Sequence, residues 1–442
     1  MGKKVALETL GCKVNQYETE AVGELFRRRG YHLVDPWEAA DVYVINTCTV
    51  TSASDRKCRQ AIRRYRRLNP QALVVAMGCY TQHVPEEIAA LPGVAVVVGV
   101  DQRGLVVDLV EQALEEGQGV QMVHPAASIQ EFEELPIETF RGRTRAFIKV
   151  QDGCNQHCTY CKVRLVRGPS RSRDPMAVKA EVERLAQAGF KEIVLTGVHL
   201  GGYGQDLPGE WDLSRLIHHI RVVDGIQRIR ISSVDPHEVT LELLETLELN
   251  NVCRHLHIPL QSGSDKILRL MGRKYTTEQY EKIVNFARDE APGLAISTDI
   301  IVGFPGEEEE DFASTLAFVR RMKFSRLHVF TYSPRPKTPA ARLKDLPKKV
   351  KEERSHRLIQ LGDELQLDFH RQLLGQVEEV LLEAPTKEPG FLEGLTDNYV
   401  RVVVSGPGEL AGSLAPVRIL AAHKDHVDGE LCLMEAGSKD MM

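Results

Sequence analysis

Short apolar runs rich in β-branched residues alternate along this chain with stretches whose apolar positions recur at helical spacing. The runs at 4–11 (KVALETLG), 42–47 (VYVINT), 72–77 (ALVVAM) and 94–100 (VAVVVGV) predict short buried strands. Between them, 16–29 and 52–68 predict helices, the second ending before Asn69-Pro70. Strands alternating with helices imply a parallel sheet covered on both faces. The expectation is a small doubly wound domain over residues 1–120, followed by a linker over 121–142.

A second strand–helix series follows. Its candidate strands are 145–150, 191–196, 228–234, 255–261, 295–302 and 326–332, with helical patterns at 176–188, 238–248, 277–290 and 308–322. Six parallel strands fall short of the eight in a closed barrel. The pattern therefore predicts an incomplete, TIM-like (β/α)6 barrel over 143–373, open on one side for a large substrate and ending in a charged helix from about 347 to 373. Residues 374–442 carry VEEVLLEA, GFLEG, YVRVVV and APVRIL between turn signals, which predicts a small antiparallel β-barrel. The fold class expected is α/β in the first two units with an all-β third.

Composition narrows the class. With 43% hydrophobic and 27% charged residues the chain is an ordinary globular protein and not a disordered one. No run approaches ~18 apolar residues, so no transmembrane helix is expected. The start, MGKKVALETLGCK, reads as a first strand and lacks the apolar core of a signal peptide, so a cytoplasmic chain is expected. Nine cysteines in a reducing compartment point to metal ligation before disulfides. A net charge of −6 does not advertise a nucleic-acid binder, and any such role must rest on local patches.

Six cysteines fall into two groups. Cys154, Cys158 and Cys161 form C-x3-C-x2-C in the loop after the first barrel strand, at the face where such barrels place their chemistry. Three thiolates can hold three irons of a four-iron cube, leaving the fourth iron open to a small molecule. The competing reading is a zinc knuckle with His157 as fourth ligand. Cys12, Cys48 and Cys79 share no local motif, but each lies just past the end of a predicted strand: TLGC, INTC and AMGC. In a parallel sheet those ends line one edge, the usual ligand crevice. Three cysteines meeting there make a second three-thiolate site, and buried cysteines acting as small hydrophobes are the alternative.

The C-x3-C-x2-C loop resembles that of the radical-SAM superfamily, whose members bind S-adenosylmethionine at the open iron and cleave it to a 5′-deoxyadenosyl radical. Tyr160 matches the aromatic that precedes the third cysteine. With the first triad and the C-terminal segment included, nearly the whole chain resembles the methylthiotransferases, built from a cysteine-triad domain, a radical-SAM barrel and a TRAM domain. The signature Leu10-Gly11-Cys12-Lys13-Val14-Asn15-Gln16-Tyr17-Glu18 is similar to that of the branch acting on N6-threonylcarbamoyladenosine in tRNA. One departure is Lys162-Val163 after the third cysteine, where the family more often has Ile-Ile-Pro.

The resemblance implies two [4Fe–4S] clusters, one on Cys154, Cys158 and Cys161 and one on Cys12, Cys48 and Cys79. It also places S-adenosylmethionine contacts at barrel-strand ends, where Gly197, Ser232, Gln261, Asp299 and Gly303 are the candidates. Arg171 and Arg173 could grip a carboxylate in a two-pronged fork. Basic residues crowd 56–67, with Arg56, Lys57, Arg59, Arg63, Arg64, Arg66 and Arg67 offered to phosphates, and Arg141, Arg143 and Arg145 add a second run. Tyr65 is open to base stacking or to packing. In the third unit Gly394, Asn398-Tyr399 and Val417-Arg418-Ile419 match the TRAM pattern, and such small barrels often bind RNA.

The expectation is an enzyme that replaces the C2 hydrogen of a threonylcarbamoylated adenosine, 3′ to the anticodon, with a methylthio group. Its partners would be tRNA, a reducing electron-donor protein and a sulfur source for the second cluster, with no membrane. Isopentenyladenosine or a ribosomal-protein aspartate are the alternative substrates. A two-cluster electron carrier or an RNA-binding scaffold is the alternative outside enzymes.

Overall fold

The computed structural model describes residues 2–135, 137 and 144–432. Arg141 and Arg143, and part of the 121–142 stretch, lie outside them.

The first unit is a six-stranded, all-parallel sheet in the order β2-β1-β3-β4-β5-β6. Its strands are β1 (Lys4–Thr9), β2 (His32–Val34), β3 (Val42–Thr47), β4 (Leu73–Gly78), β5 (Val94–Val98) and β6 (Val120–Met122). The two edge strands not anticipated above, β2 and β6, have three residues each, too short to leave a periodic signal. β3 and β4 are buried along their whole length. Each fully buried Val or Ile there contributes roughly 1.5–3 kcal/mol. Helices α1 (Lys13–Arg28) and, later, α5 (Val106–Glu116) cover one face. Between them in sequence, α2 (Ser52–Leu68), with α3 (Cys79–His83) and α4 (Pro85–Ala89), covers the other. Strand order reverses between β1 and β3, so the crevice of this sheet opens at their carboxyl ends.

The second unit has six parallel strands in two three-stranded arcs, β7 (Arg145–Lys149), β10 (Glu192–Thr196) and β11 (Arg228–Ile231), then β12 (His255–His257), β13 (Ala295–Val302) and β14 (Arg326–Thr331). A two-residue ribbon, β8 (Gln151–Asp152) with β9 (Arg171–Ser172), brackets the loop that carries the C-x3-C-x2-C run and the short helix α6 (Val163–Arg167). Single bridges such as Ile229–Val252 and Ser233–His257 join the arcs. No pairing closes β7 to β14, which is the incomplete barrel that six strands predict.

The first unit docks on that open flank. From α1, Tyr17 is buried and its hydroxyl donates to Leu135 O (2.7 Å) and Glu181 Oε2 (3.1 Å). On the other side, Arg335 past β14 donates to Asp55 Oδ2 of α2 (2.6 Å).

The third unit is a closed barrel, β15-β16-β17-β19-β18, formed by β15 (Val377–Pro385), β16 (Phe391–Thr396), β17 (Arg401–Ser405), β18 (Leu414–Ala422) and β19 (Val427–Leu431). It is antiparallel except that β17 pairs with β19 in parallel, because β19 inserts between β17 and β18. The β16–β17 turn plugs the floor of the open barrel. Arg254 pairs with Asp397 (2.7 Å), Arg230 donates to Asp397 O (2.7 Å), and Tyr399 stacks on His255 at 4.8 Å. Among the described residues no helix is long and apolar enough to cross a membrane.

Candidate active site

The three dispersed cysteines meet at the crevice of the first sheet. Cys12 caps the start of α1, Cys48 follows β3, and Cys79 opens α3. Two glycines make the turns possible. Gly78 has φ +100°, and a Cβ there would stand 2.4 Å from Asn46 Oδ1; Gly11, at φ +134°, faces the Cys48 side chain at 3.1 Å. Asn15 ties the loops together, its amide donating to Leu10 O (3.2 Å), Asn46 Oδ1 (3.1 Å) and Thr47 O (3.0 Å). Its carbonyl oxygen accepts from Cys12 Sγ (3.4 Å) and from Arg167 Nη2 (3.1 Å). Burial pushes the Cys79 thiol up to about 12, Arg167 pulls against it, and the neighbouring Cys48 and Cys12 charges push further. Two buried thiols, Cys48 and Cys79, pushed up by burial and by neighbouring cysteines fit a site that a metal group completes, because bound metal stabilises thiolates.

The second triad is local. Gly153, at φ +70° with a virtual Cβ 1.8 Å from Pro169 O, lets the chain leave β8 tightly against the 168–169 turn. Cys154 N then donates to Gly168 O (3.1 Å), and Cys161 N to Cys158 O (3.1 Å). Burial raises Cys154 to about 11 and Cys161 to about 12, with the neighbouring cysteines adding to it. Arg273 Nη1 donates to Cys158 Sγ (3.3 Å) while its other arm holds Asp235 Oδ1 (2.6 Å). Tyr160 packs edge-on to Phe304 at 6.2 Å and roofs the loop.

A zinc ion would draw its ligand atoms to within ~4 Å of one another. Among the described residues only His423, His426 and Asp428, on a turn of the third unit, are that compact; neither cysteine triad is. His157 is exposed and held by Arg164, so the zinc-knuckle alternative loses its fourth ligand.

The two triads open onto one cavity of about 360 Å³, whose wall includes both Cys79 and Cys161. Gln261 and Asp299 line it. Gln261 sits at φ +69°, a conformation that costs a non-glycine residue of order 1 kcal/mol or more and collects at functional sites. Asp299 is held by His257 Nε2 at 3.2 Å. Thr49, Val50 and Thr51, following Cys48, form the opposite wall, and Val50 and Phe330 are exposed at 58% and 46%. Gly197 and Ser232 lie at the carboxyl ends of β10 and β11, where the backbone of Ser232 donates to Leu195 O (3.2 Å).

Other candidates have different work. Gly303 is covered by the Lys351 side chain, which a Cβ would meet at 2.4 Å, so its close approach is to protein and not to a ligand. Arg173 is buried between Glu181 and Glu134 (both 2.8 Å), and Arg171 donates to Arg167 O (2.9 Å) and Pro169 O (2.7 Å). Both guanidiniums are buried against protein groups, and neither lines the cavity between the triads. Tyr65 is buried and stacked on Tyr43 at 4.2 Å, which settles its role as packing.

Helix α2 presents Arg56, Lys57, Arg63, Arg64, Arg66 and Arg67 to solvent. Arg59 is half-buried and donates to Tyr80 Oη, and Arg64 pairs with Glu8 at 2.7 Å. Arg145 is turned inward to Glu383 (2.5 Å) and does not join that surface.

The largest feature unseen in the sequence is a buried charge cluster between the two triads. Glu18 meets Arg167 (2.8 Å), Lys149 (3.0 Å) and Arg103 (3.1 Å), and Asp152 meets Lys149 (2.6 Å) and Arg167 (3.0 Å). Burial opposes ionisation of Glu18, yet Arg103, Arg167 and Lys149 outweigh it and hold its carboxyl at about 2. These residues come from four separate stretches of chain, so no spacing signals them.

Comparison with known proteins adds to this geometry. Residues 148–319 match the radical SAM superfamily, and residues 4–99 match an uncharacterised protein family, UPF0004. Threonylcarbamoyladenosine tRNA methylthiotransferase MtaB of Bacillus subtilis (strain 168) is 45% identical, over 96% of this chain and 96% of that protein. The protein of the same name from Aquifex aeolicus (strain VF5) is 41% identical over 94% and 100%. A tRNA-2-methylthio-N(6)-dimethylallyladenosine synthase of Pelotomaculum thermopropionicum is 35% identical over 97% and 98%. Among solved structures, the radical S-adenosylmethionine methyltransferase TsrM from Kitasatospora setae, with tryptophan substrate and a SAM analogue bound, shares the fold with a TM-score of 0.55 at 14% identity, covering 89% of this chain and 78% of that one.

Proposed function

The chain belongs to the radical-SAM tRNA methylthiotransferases, and we propose that its cavity is where the C2 hydrogen of a threonylcarbamoylated adenosine is exchanged for a methylthio group. S-adenosylmethionine and a [4Fe–4S] cluster, held by Cys154, Cys158 and Cys161, supply a carbon radical strong enough to take hydrogen from an unactivated carbon, which no side-chain acid or base can do. The finer assignments are part of the proposal. Cys12, Cys48 and Cys79 would hold a second [4Fe–4S] cluster, which would supply the sulfur. Gln261 and Asp299 bind polar groups in the cavity, with Gly197 and Ser232 at the neighbouring strand ends. Phe330 and Val50 offer apolar faces to the base and keep water from it. The basic face of α2 runs outward from the Cys48 loop and takes phosphates of the anticodon arm. A reducing protein and a sulfur source complete the set of partners, and the tRNA substrate puts the work in the cytoplasm.

The observation that carries this reading is the single cavity walled by one cysteine from each triad. A carrier or scaffold has no need to bring two triads onto a shared, substrate-sized space. The test is mass spectrometry of tRNA nucleosides from cells with and without the gene. Loss of the methylthio form of threonylcarbamoyladenosine, with its precursor accumulating, is expected. Loss of the methylthio form of dimethylallyladenosine instead would reassign the substrate, and no change in any nucleoside would overturn a tRNA substrate.

A further inference from the structure

Each triad has one sulfur capped by an arginine, half-buried at the barrel loop and fully buried at the sheet crevice. In the barrel loop Arg273 Nη1 reaches Cys158 Sγ at 3.3 Å, anchored by Asp235. At the sheet crevice Arg167 Nε reaches Cys79 Sγ at 3.2 Å, anchored by Glu18 and Asp152 and joined to Asn15. The second contact crosses between units: Arg167 ends α6, directly after the barrel triad, yet its donor is spent on the other triad. Arg167 is 1% exposed, so this bond is made in a dry, weakly screened setting.

Around it, Arg103, Lys149, Arg167 and Arg171 lie within ion-pair distance of the carboxylates of Glu18, Asp152 and Glu133, and Asp101 lies close enough to act on Arg171. The two Nη groups of Arg167 are taken by Glu18, Asp152 and Asn15, which leaves its Nε–H for Cys79.

The geometry points to Arg167 as the positioning residue of the second triad: it holds Cys79 Sγ in place from the barrel loop and sets the potential of the iron–sulfur group bound there. This rests on the two-cluster reading above. Hydrogen bonds to cluster sulfurs and nearby positive charge favour the reduced state. Arg167 therefore makes the second cluster easier to reduce, and does so only while the sheet and the barrel loop are docked.

The test uses full-length protein reconstituted anaerobically with iron and sulfide, in a Cys154→Ala/Cys158→Ala/Cys161→Ala background that leaves only the second triad. Midpoint potentials are read by redox titration followed by EPR. Arg167→Met is expected to shift the midpoint to more negative values. Arg167→Lys keeps a charge for Glu18 and Asp152, guards against misfolding, and is expected to shift it less. Arg273→Met in the background that keeps only Cys12, Cys48 and Cys79 is expected to leave the midpoint unchanged, because its contact is to Cys158 of the other triad. A fully loaded Arg167→Met or Arg167→Lys protein with the parent midpoint overturns the proposal. So does loss of the cluster in Arg167→Met with parent behaviour in Arg167→Lys, since Arg167 is then only an ion pair. A parent that takes up no iron overturns the two-cluster reading and this proposal together, and the iron count tells that failure from the others.

Discussion

The two triads solve one problem by opposite means. Cys154, Cys158 and Cys161 sit within eight consecutive residues, and their approach is set by one loop braced on Gly168 and Pro169. Cys12, Cys48 and Cys79 are brought together only by the pairing of β1, β3 and β4. A local site survives as long as its loop does; a dispersed site depends on the sheet, on its turn glycines, and on what braces it from outside. The difference teaches where each site should be fragile.

The largest effects are expected from the ligands themselves and should separate the two sites. Cys161→Ala should abolish both 5′-deoxyadenosine formation and methylthiolated product. Cys79→Ala should abolish product while S-adenosylmethionine cleavage continues. Chromatography of both products from one reaction checks this, and equal loss of cleavage in Cys79→Ala would break the division of labour.

Next come the turn glycines. Gly153→Ala forces a Cβ to 1.8 Å from Pro169 O, and Gly78→Ala to 2.4 Å from Asn46 Oδ1, both at positive φ. Each should cost ~1–3 kcal/mol or more in unfolding free energy. Iron content should fall selectively, in the barrel triad for the first and in the sheet triad for the second.

A similar magnitude attaches to the buried charges that brace the dispersed site. The folded pKa of Glu18, about 2, lies below its ordinary value of 4.5, so its stabilisation is present above pH 4.5 and is lost as pH falls towards 2. The contribution is about 3 kcal/mol at neutral pH. Denaturant unfolding of the metal-free protein should show Glu18→Gln destabilised at pH 7, with the gap narrowing below pH 4.5 and closing only as pH falls to about 2. A constant gap across that range would contradict the assigned ionisation.

The smallest effect should come from the α2 surface. Replacing Arg56, Lys57, Arg63 and Arg67 with Ala should weaken tRNA binding, with the slope of log K against log salt falling by about 0.7–0.9 per phosphate contact removed. Cluster content should stay unchanged, because none of these side chains reaches a cysteine.

Much of this was readable from residues alone. All six barrel strands begin within one residue of the patterned runs, since a buried parallel strand must be a continuous apolar stretch. The C-x3-C-x2-C loop was legible because its ligands are neighbours in sequence. The dispersed triad was legible at second hand, through the rule that ligands gather where parallel strands end. Of the residues offered to the cofactor, Gln261 and Asp299 line the cavity between the triads, whereas Gly303, Arg171 and Arg173 lie elsewhere. A glycine or an arginine near a strand end looks the same in sequence whether it meets a ligand or another side chain.

Periodicity and spacing thus pointed to the three units, the open barrel and two groups of candidate cysteines, because strands, helices and the C-x3-C-x2-C run are written in short stretches of chain and the dispersed group in where those strands end. Tertiary structure alone decided that the sheet docks on the barrel's open flank, that Cys79 and Cys161 share a wall, and that Arg167 spends its donor on the far triad. Those facts depend on pairings between residues more than a hundred positions apart in some cases, such as Glu18 with Arg167, and burial makes their charges count. No local pattern encodes a partner that distant.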